Sequence, residues 1–171
     1  NLNIFKKKYS YKYLFEIGAG PAINACLLNY KYKTKSIIID LYTQNTVALL
    51  FISLFFPNIK ISFENYKNLI KKYKSFEKAF KYFDIIFLPP GDIKKIPKNF
   101  FNFSINLCAF QEMSKTTIKN YILETRRVLA PNNFFISINR DSKFLGFKQI
   151  FKHQYLYINP FKLILKPKLV F

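Results

Sequence analysis

Five short apolar runs, set apart by stretches of helical length, constrain this chain more than any other feature. They are "YLFEI" (Tyr13 to Ile17), "SIIID" (Ser36 to Asp40), "DIIFL" (Asp84 to Leu88), "FSINL" (Phe103 to Leu107) and "FFISI" (Phe134 to Ile138). Runs that are apolar at nearly every position read as strands buried on both faces. Between them, "AINACLLNY" reads as a helix with Pro21 suited to its first turn, and "LYTQNTVALLFISLFF" as a helix stopped by Pro57. "IKISF" is a short strand in this reading, "ENYKNLIKKYKSFEKAFKYF" has helical apolar spacing, and Ser114 is a good N-cap for a helix that "APNN" ends. Strands alternating with helices predict βαβ units and a mostly parallel α/β sheet. With 171 residues, 50% of them hydrophobic, one domain over residues 1–171 is expected. Its core spans about 13–140, and 141–171 reads as a tail in which "FKLILKPKLVF" is an edge strand or a frayed end.

The first run leads into "GAGPAIN" (Gly18 to Asn24), which holds two of the chain's four glycines. Gly18 and Gly20 can take backbone angles closed to other residues and let a ligand lie against the main chain. In a parallel sheet that turn sits at the carboxyl end of the strands, where ligands bind. Asp40 closes the second run 20 residues after Gly20, where a carboxylate accepts hydrogen bonds from ribose hydroxyls. The combination predicts a nucleoside-bearing cofactor. The dinucleotide fingerprint is incomplete, because Ile23 stands where its third glycine packs helix on strand. No GK[ST] follows, which excludes a P-loop.

Lysine and arginine outnumber aspartate and glutamate by 28 to 9, a formal +19. Such a balance admits nucleic acid or an anionic surface as partner, since cations bound to phosphate release its counterions. A codon bias toward AT accounts for it as well, because Phe, Tyr, Ile and Asn are also abundant. We favour the codon reading: the lysines are scattered, and only Arg126, Arg127 and Arg140 carry the forked guanidinium that suits phosphate. Cys26 and Cys108 have no metal or CxxC spacing, so a reduced, cytoplasmic protein without a metal site is expected. The apolar run from Val47 to Phe56 is about half the ~20 residues that span a bilayer, and no apolar segment follows the first lysines as in a signal peptide.

Glu16-x-Gly18-x-Gly20, between a strand and a helix and with Asp40 beyond, resembles the first motif of class I S-adenosylmethionine-dependent methyltransferases. "FSINLCAFQEM" (Phe103 to Met113), a helix bearing Tyr121, and "LAPNNFFISINR" (Leu129 to Arg140) resemble the sugar O-methyltransferase family. That family shows a strand followed by SFQEM, a tyrosine-bearing helix and a strand ending in Asn-Arg; Ala109 stands here in place of the Ser. "NRDSKF" also resembles the family's segment after its fifth strand, and the likeness covers roughly residues 13–153. The family's longer N-terminal region is absent and the first residue is Asn, so a domain truncated at its N-terminus is expected. "DIIFLPPG" does not match the Asp/Asn-Pro-Pro-aromatic motif of enzymes that stack a flipped base, because Gly91 fills the aromatic position.

The resemblance implies a Rossmann-like class I methyltransferase three-layer sandwich. It implies S-adenosylmethionine held by Glu16, Gly18, Gly20, Asp40, Asp92 and Asn106, with Glu16 at the cofactor's ammonium end. A saccharide or other small acceptor would meet Gln111, Tyr121, Asn139 and Arg140. A sugar hydroxyl is a weak nucleophile, so a general base helps; Glu112 and His153, the only histidine, are the candidates. Alternatives stay open for several of these. Glu112 fits equally as a carboxylate bonding N–H groups at the start of the next helix, and His153 as a surface histidine. Arg140 pairs with a sugar carboxylate or phosphate or is a plain surface arginine. Asp92 contacts adenine or caps a loop. For function, methylation of a sugar hydroxyl stands against an RNA methyltransferase and a non-catalytic domain that binds cofactor or a partner.

Overall fold

The computed structural model describes residues 12–139, 142–145 and 148–151. Six strands form one sheet: β1 (Tyr13–Ile17), β2 (Lys35–Ile39), β3 (Ile61–Ser62), β4 (Ile85–Leu88), β5 (Phe101–Leu107) and β6 (Leu129–Ile138). Their order is β3-β4-β2-β1-β5-β6, and every pairing is parallel. The helices are α1 (Ile23–Tyr32), α2 (Tyr42–Phe55), α3 (Tyr66–Tyr73), α4 (Phe76–Tyr82) and α5 (Lys115–Val128). A separate antiparallel hairpin, β7 (Ser142–Leu145) and β8 (Lys148–Phe151), follows.

Strand side chains alternate between the two faces, and both faces are apolar, so both are covered. On one, Leu14, Ile38, Phe87 and Phe103 pack under Ala25 and Cys26 of α1 and under Ala48 and Ile52 of α2. On the other, Phe15, Ile37, Ile39 and Ile86 meet Leu69 of α3, Phe80 of α4 and Ile118, Ile122 and Val128 of α5. Aromatic rings fill much of this second layer edge to face, with Phe76–Phe100 centroids at 5.0 Å and Phe80–Phe101 at 5.8 Å. The result is the expected three-layer α/β/α arrangement.

Two local expectations are corrected and two are narrowed. The first helix begins at Ile23, not in the turn at Pro21, because Ala22 adopts a left-handed conformation (φ 60°) and delays the helical angles. The long amphipathic stretch is two helices: Lys74 is left-handed (φ 67°), and the Ser75 hydroxyl caps α4 by accepting from Lys78 N at 3.2 Å. Helical spacing persists on both sides of that break, so periodicity alone hid it. "IKISF" contributes only Ile61 and Ser62 to the sheet. "APNN" does not separate helix from strand. β6 starts directly after α5, and its pairing jumps from Phe101↔Leu129 to Phe103↔Phe134, so residues 130–133 form an excursion within the strand. Asn133 Nδ2 holds that excursion by donating to the carbonyls of Ala130 and Pro131 at 3.2 and 3.1 Å; a bulge on an edge strand is where proline is tolerated. "FKLILKPKLVF" lies outside the described residues.

Candidate active site

From β1 the chain steps to β2 on one side, while β5 lies on the other. In open α/β sheets such a reversal, here over the carboxyl ends of β1 and β5, is where a crevice holds the ligand. The glycine turn forms its floor. Gly18 (φ +66°) and Gly20 (φ +52°) are both left-handed, and Gly18 N donates to Ile39 O at 2.9 Å, tying the turn to β2. The two glycines differ in surroundings. A Cβ on Gly18 would collide with the Cβ of Ala109, whereas one on Gly20 would meet nothing within 4 Å. Gly18 is thus packed against the segment after β5, and Gly20 borders open space where a ligand can approach bare main chain.

Two carboxylates flank this turn. Asp40, at the end of β2, accepts from Leu41 N on Oδ1 at 2.8 Å and from Gly20 N on Oδ2 at 3.2 Å. Its carboxyl is raised above the ordinary value because burial outweighs the N–H groups of Leu41, Gly20 and Ala19. A carboxylate has about four acceptor sites, so these N–H groups leave room for a ligand hydroxyl. Glu16 lies beneath the turn, 1% exposed. Its Oε1 accepts from Asn24 Nδ2 of α1 at 3.1 Å, while its Oε2 is buried without a partner. Burial, reinforced by the charge of Asp40, pushes its carboxyl up to about 7 against the bond from Asn24. Burial and then the Glu16 charge push the Cys26 thiol up to about 12. In a chain with a formal +19, the glycine turn is bordered by two crowded carboxylates, an arrangement that suits a cationic ligand.

The other wall is built by β5 and β6. Asn106, fully buried, donates through Nδ2 to Ile17 O at 3.0 Å and accepts from Asn139 Nδ2 at 3.0 Å. Asn139 also donates to Ser137 Oγ at 2.9 Å and accepts from Gln111 N at 3.3 Å. The ends of β1, β5 and β6 and the 3₁₀ turn Phe110–Glu112 are thereby joined in one polar clasp. Cys108, left-handed at φ 64°, leads into that turn and donates its N–H to Ile138 O at 2.7 Å. Tyr121 of α5 is half-buried, 6.3 Å ring to ring from Phe110, and its phenol is raised by burial and by the charge of Asp40.

Glu112 is exposed, and the adjoining helix is capped instead by Ser114, whose Oγ accepts from Thr117 N at 3.1 Å. Asp92 accepts Tyr66 N at the start of α3 on Oδ2 at 2.8 Å, and its Oδ1 pairs with Lys95 Nζ at 2.6 Å. These contacts match the loop-capping alternative for Asp92. Arg140 and His153 lie outside the described residues. Sequence reasoning missed Asn24, the partner of Glu16, and the clasp linking Asn106 to Asn139. A signal for the clasp was present, since Ser-Ile-Asn occurs at 104–106 and again at 137–139, ending two neighbouring strands. Among the described residues no group of three metal-ligating side chains occurs, and no helix is long and apolar enough to cross a membrane.

No protein-family profile matches the chain, and no curated protein sequence does. Solved structures do. A candidate sarcosine dimethylglycine methyltransferase from Galdieria sulphuraria is similar with a TM-score of 0.52 at 14% identity, over 82% of this chain and 44% of that one. A candidate S-adenosyl-L-methionine-dependent methyltransferase from Methanococcus maripaludis is similar with a TM-score of 0.52 at 15% identity, over 80% of this chain and 52% of that one. The chain thus spans about half the length of the structures it matches. Strand order, glycine turn and these likenesses agree: the chain has the Rossmann-like fold of class I methyltransferases.

Proposed function

We propose that this chain is an S-adenosylmethionine-dependent O-methyltransferase domain whose acceptor is a sugar hydroxyl. One observation carries the cofactor reading. The main chain at Gly20 faces open space beside two carboxylates with raised pKa values, and one of them, Glu16, has a buried oxygen lacking any partner. A buried, unpartnered carboxylate oxygen is costly. A nucleoside ligand carrying an ammonium relieves that cost, and Asp40 retains acceptor capacity for its ribose. The bound cofactor supplies an electrophilic methyl group; the remaining work belongs to the chain's own residues.

That work is positioning and proton removal. Reacting atoms held at roughly 3 Å in line gain most of the available rate enhancement. The clasp through Asn106 and Asn139 fixes the turn that carries Gln111 and Glu112 relative to the glycine floor, which supports their assignment as acceptor-side groups. Glu112, exposed on that turn, is assigned to take the hydroxyl proton. Tyr121, half-buried on α5, is assigned to the same acceptor side on the resemblance. The sugar acceptor rests on the resemblance of the "FQEM" and "NR" segments, and the Gln111–Asn139 bond joins those two segments. Incubating the protein with methyl-labelled S-adenosylmethionine and a panel of free and nucleotide-linked sugars tests the reading. Label in a sugar ether is expected; label only in amines or in RNA contradicts the acceptor class.

A further inference from the structure

At the opposite edge of the sheet, where the strands begin, α1, α2 and α4 end around a cavity of about 650 Å³, within the ~300–1,000 Å³ range of ligand pockets. Tyr30, Phe55 and Tyr82 stand on its rim, 75%, 66% and 55% exposed. Lys33, Lys60 and Lys81, far apart in sequence, also line it and are all exposed.

Helix carboxyl ends attract cations, but here that demand is met by another residue. Lys35 Nζ donates to the carbonyls of Lys81 and Phe83 at 2.7 Å each and lies 3.6 Å from Asp84 Oδ1. The Asp84 Oδ2 accepts the backbone N–H of Lys60 at 3.0 Å. The carbonyl of Asn29 at the end of α1 is taken by Lys33 N at 2.8 Å. The ammonium groups of Lys33, Lys60 and Lys81 make no ion pair among the described residues, and that of Lys60 rests 5.5 Å over the Tyr82 ring. Three exposed aromatic rings and three cations without ion pairs thus gather around one hollow, with Phe51 beside the Phe55 ring at 4.8 Å and Phe83 beside that of Tyr82 at 4.9 Å.

We propose that this cavity binds single-stranded nucleic acid, with bases stacking on Tyr30, Phe55 and Tyr82 and phosphates against Lys33, Lys60 and Lys81. Aromatic faces beside a cationic groove are how proteins hold unpaired strands without reading sequence. Paired bases offer no free face, so duplexes are excluded from the stacking contacts. The cavity lies at the far end of the strands from the glycine turn, since β2 alone sets about 13 Å between Lys35 and Ile39.

The test is fluorescence anisotropy of a labelled ten-nucleotide oligouridine with the whole chain. Binding should fall with salt at a log–log slope of about −2, as three phosphate contacts on a single strand require. Tyr30→Ala and Phe55→Ala, both at exposed positions, should each weaken binding by about tenfold at unchanged melting temperature, and Tyr30→Phe should restore it. S-adenosylhomocysteine should not displace the oligonucleotide. The proposal is overturned by absent binding, by equal affinity for a duplex of the same length, or by aromatic variants that bind like the wild type while heparin competes.

Discussion

A carboxyl group buried at 1% exposure with one oxygen unbonded carries a pH signature of its own. The Glu16 carboxyl is raised from 4.5 to about 7 in the folded chain, so its contribution to stability is complete below about pH 4.5 and is lost as pH rises through 7. Glu16→Gln keeps the bond with Asn24 and removes that loss. It should therefore be more stable than the wild type at pH 8, by roughly 3 kcal/mol at most, and indistinguishable near pH 4.5; thermal melts across pH 4.5–8 show this directly. Ligand binding carries the opposite sign. A cationic cofactor binds the ionised form, so its affinity should rise about tenfold from pH 6 to pH 8 and lose that dependence in Glu16→Gln. Asp40→Ala should weaken cofactor binding at least tenfold, whereas Glu112→Ala should leave binding intact and slow turnover by about 10²–10⁴-fold. Calorimetry and single-turnover rates separate the two roles, and equal loss of affinity in both variants contradicts the assignment. That Glu16 and Asp40 flank the glycine turn was legible in the sequence, because Glu16 sits two residues before Gly18 and Asp40 follows the next strand, which pairs with β1. Asn106 and Asn139 were legible as residues but not as a clasp, since their bond spans 33 positions and depends on strand order.

At the level of elements, the glycine turn separates packing from cradle. Gly18→Ala forces a side chain into Ala109 at a left-handed position, and it should cost about 2–4 kcal/mol from clash and strain together. Gly20→Ala meets open space, so it should cost only about 1 kcal/mol from its backbone angle yet abolish measurable cofactor affinity by filling the floor. Urea melts and ligand titration on the two variants give the contrast; similar stability in both would place the open space elsewhere. The Ser114 cap is an independent check, with Ser114→Ala expected to cost about 1 kcal/mol without changing the crevice. The elements themselves were readable because apolar runs of strand length alternate with helical lengths. Their punctuation was less so: Ala22 and Lys74 adopt left-handed angles that neither residue type advertises, and the excursion within β6 is set by its pairing with β5.

Among the described residues the charge is unevenly placed. The glycine turn at the carboxyl edge is bordered by Glu16 and Asp40, while the cavity at the amino edge gathers Lys33, Lys35, Lys60 and Lys81 around one carboxylate, Asp84. Sequence alone showed the lysines as scattered; convergence required the folded order β4-β2-β1, which brings the starts of distant strands together. The same order sets β1 between β2 and β5, and in the proposed function a cationic nucleoside rests over its carboxyl end. Isothermal titration of S-adenosylmethionine and of NAD into the whole chain at pH 8 tests it most directly. Micromolar binding of S-adenosylmethionine, lost in Asp40→Ala, with no heat from NAD, is the predicted result. Binding of NAD alone, or S-adenosylmethionine binding untouched by Asp40→Ala, would contradict it.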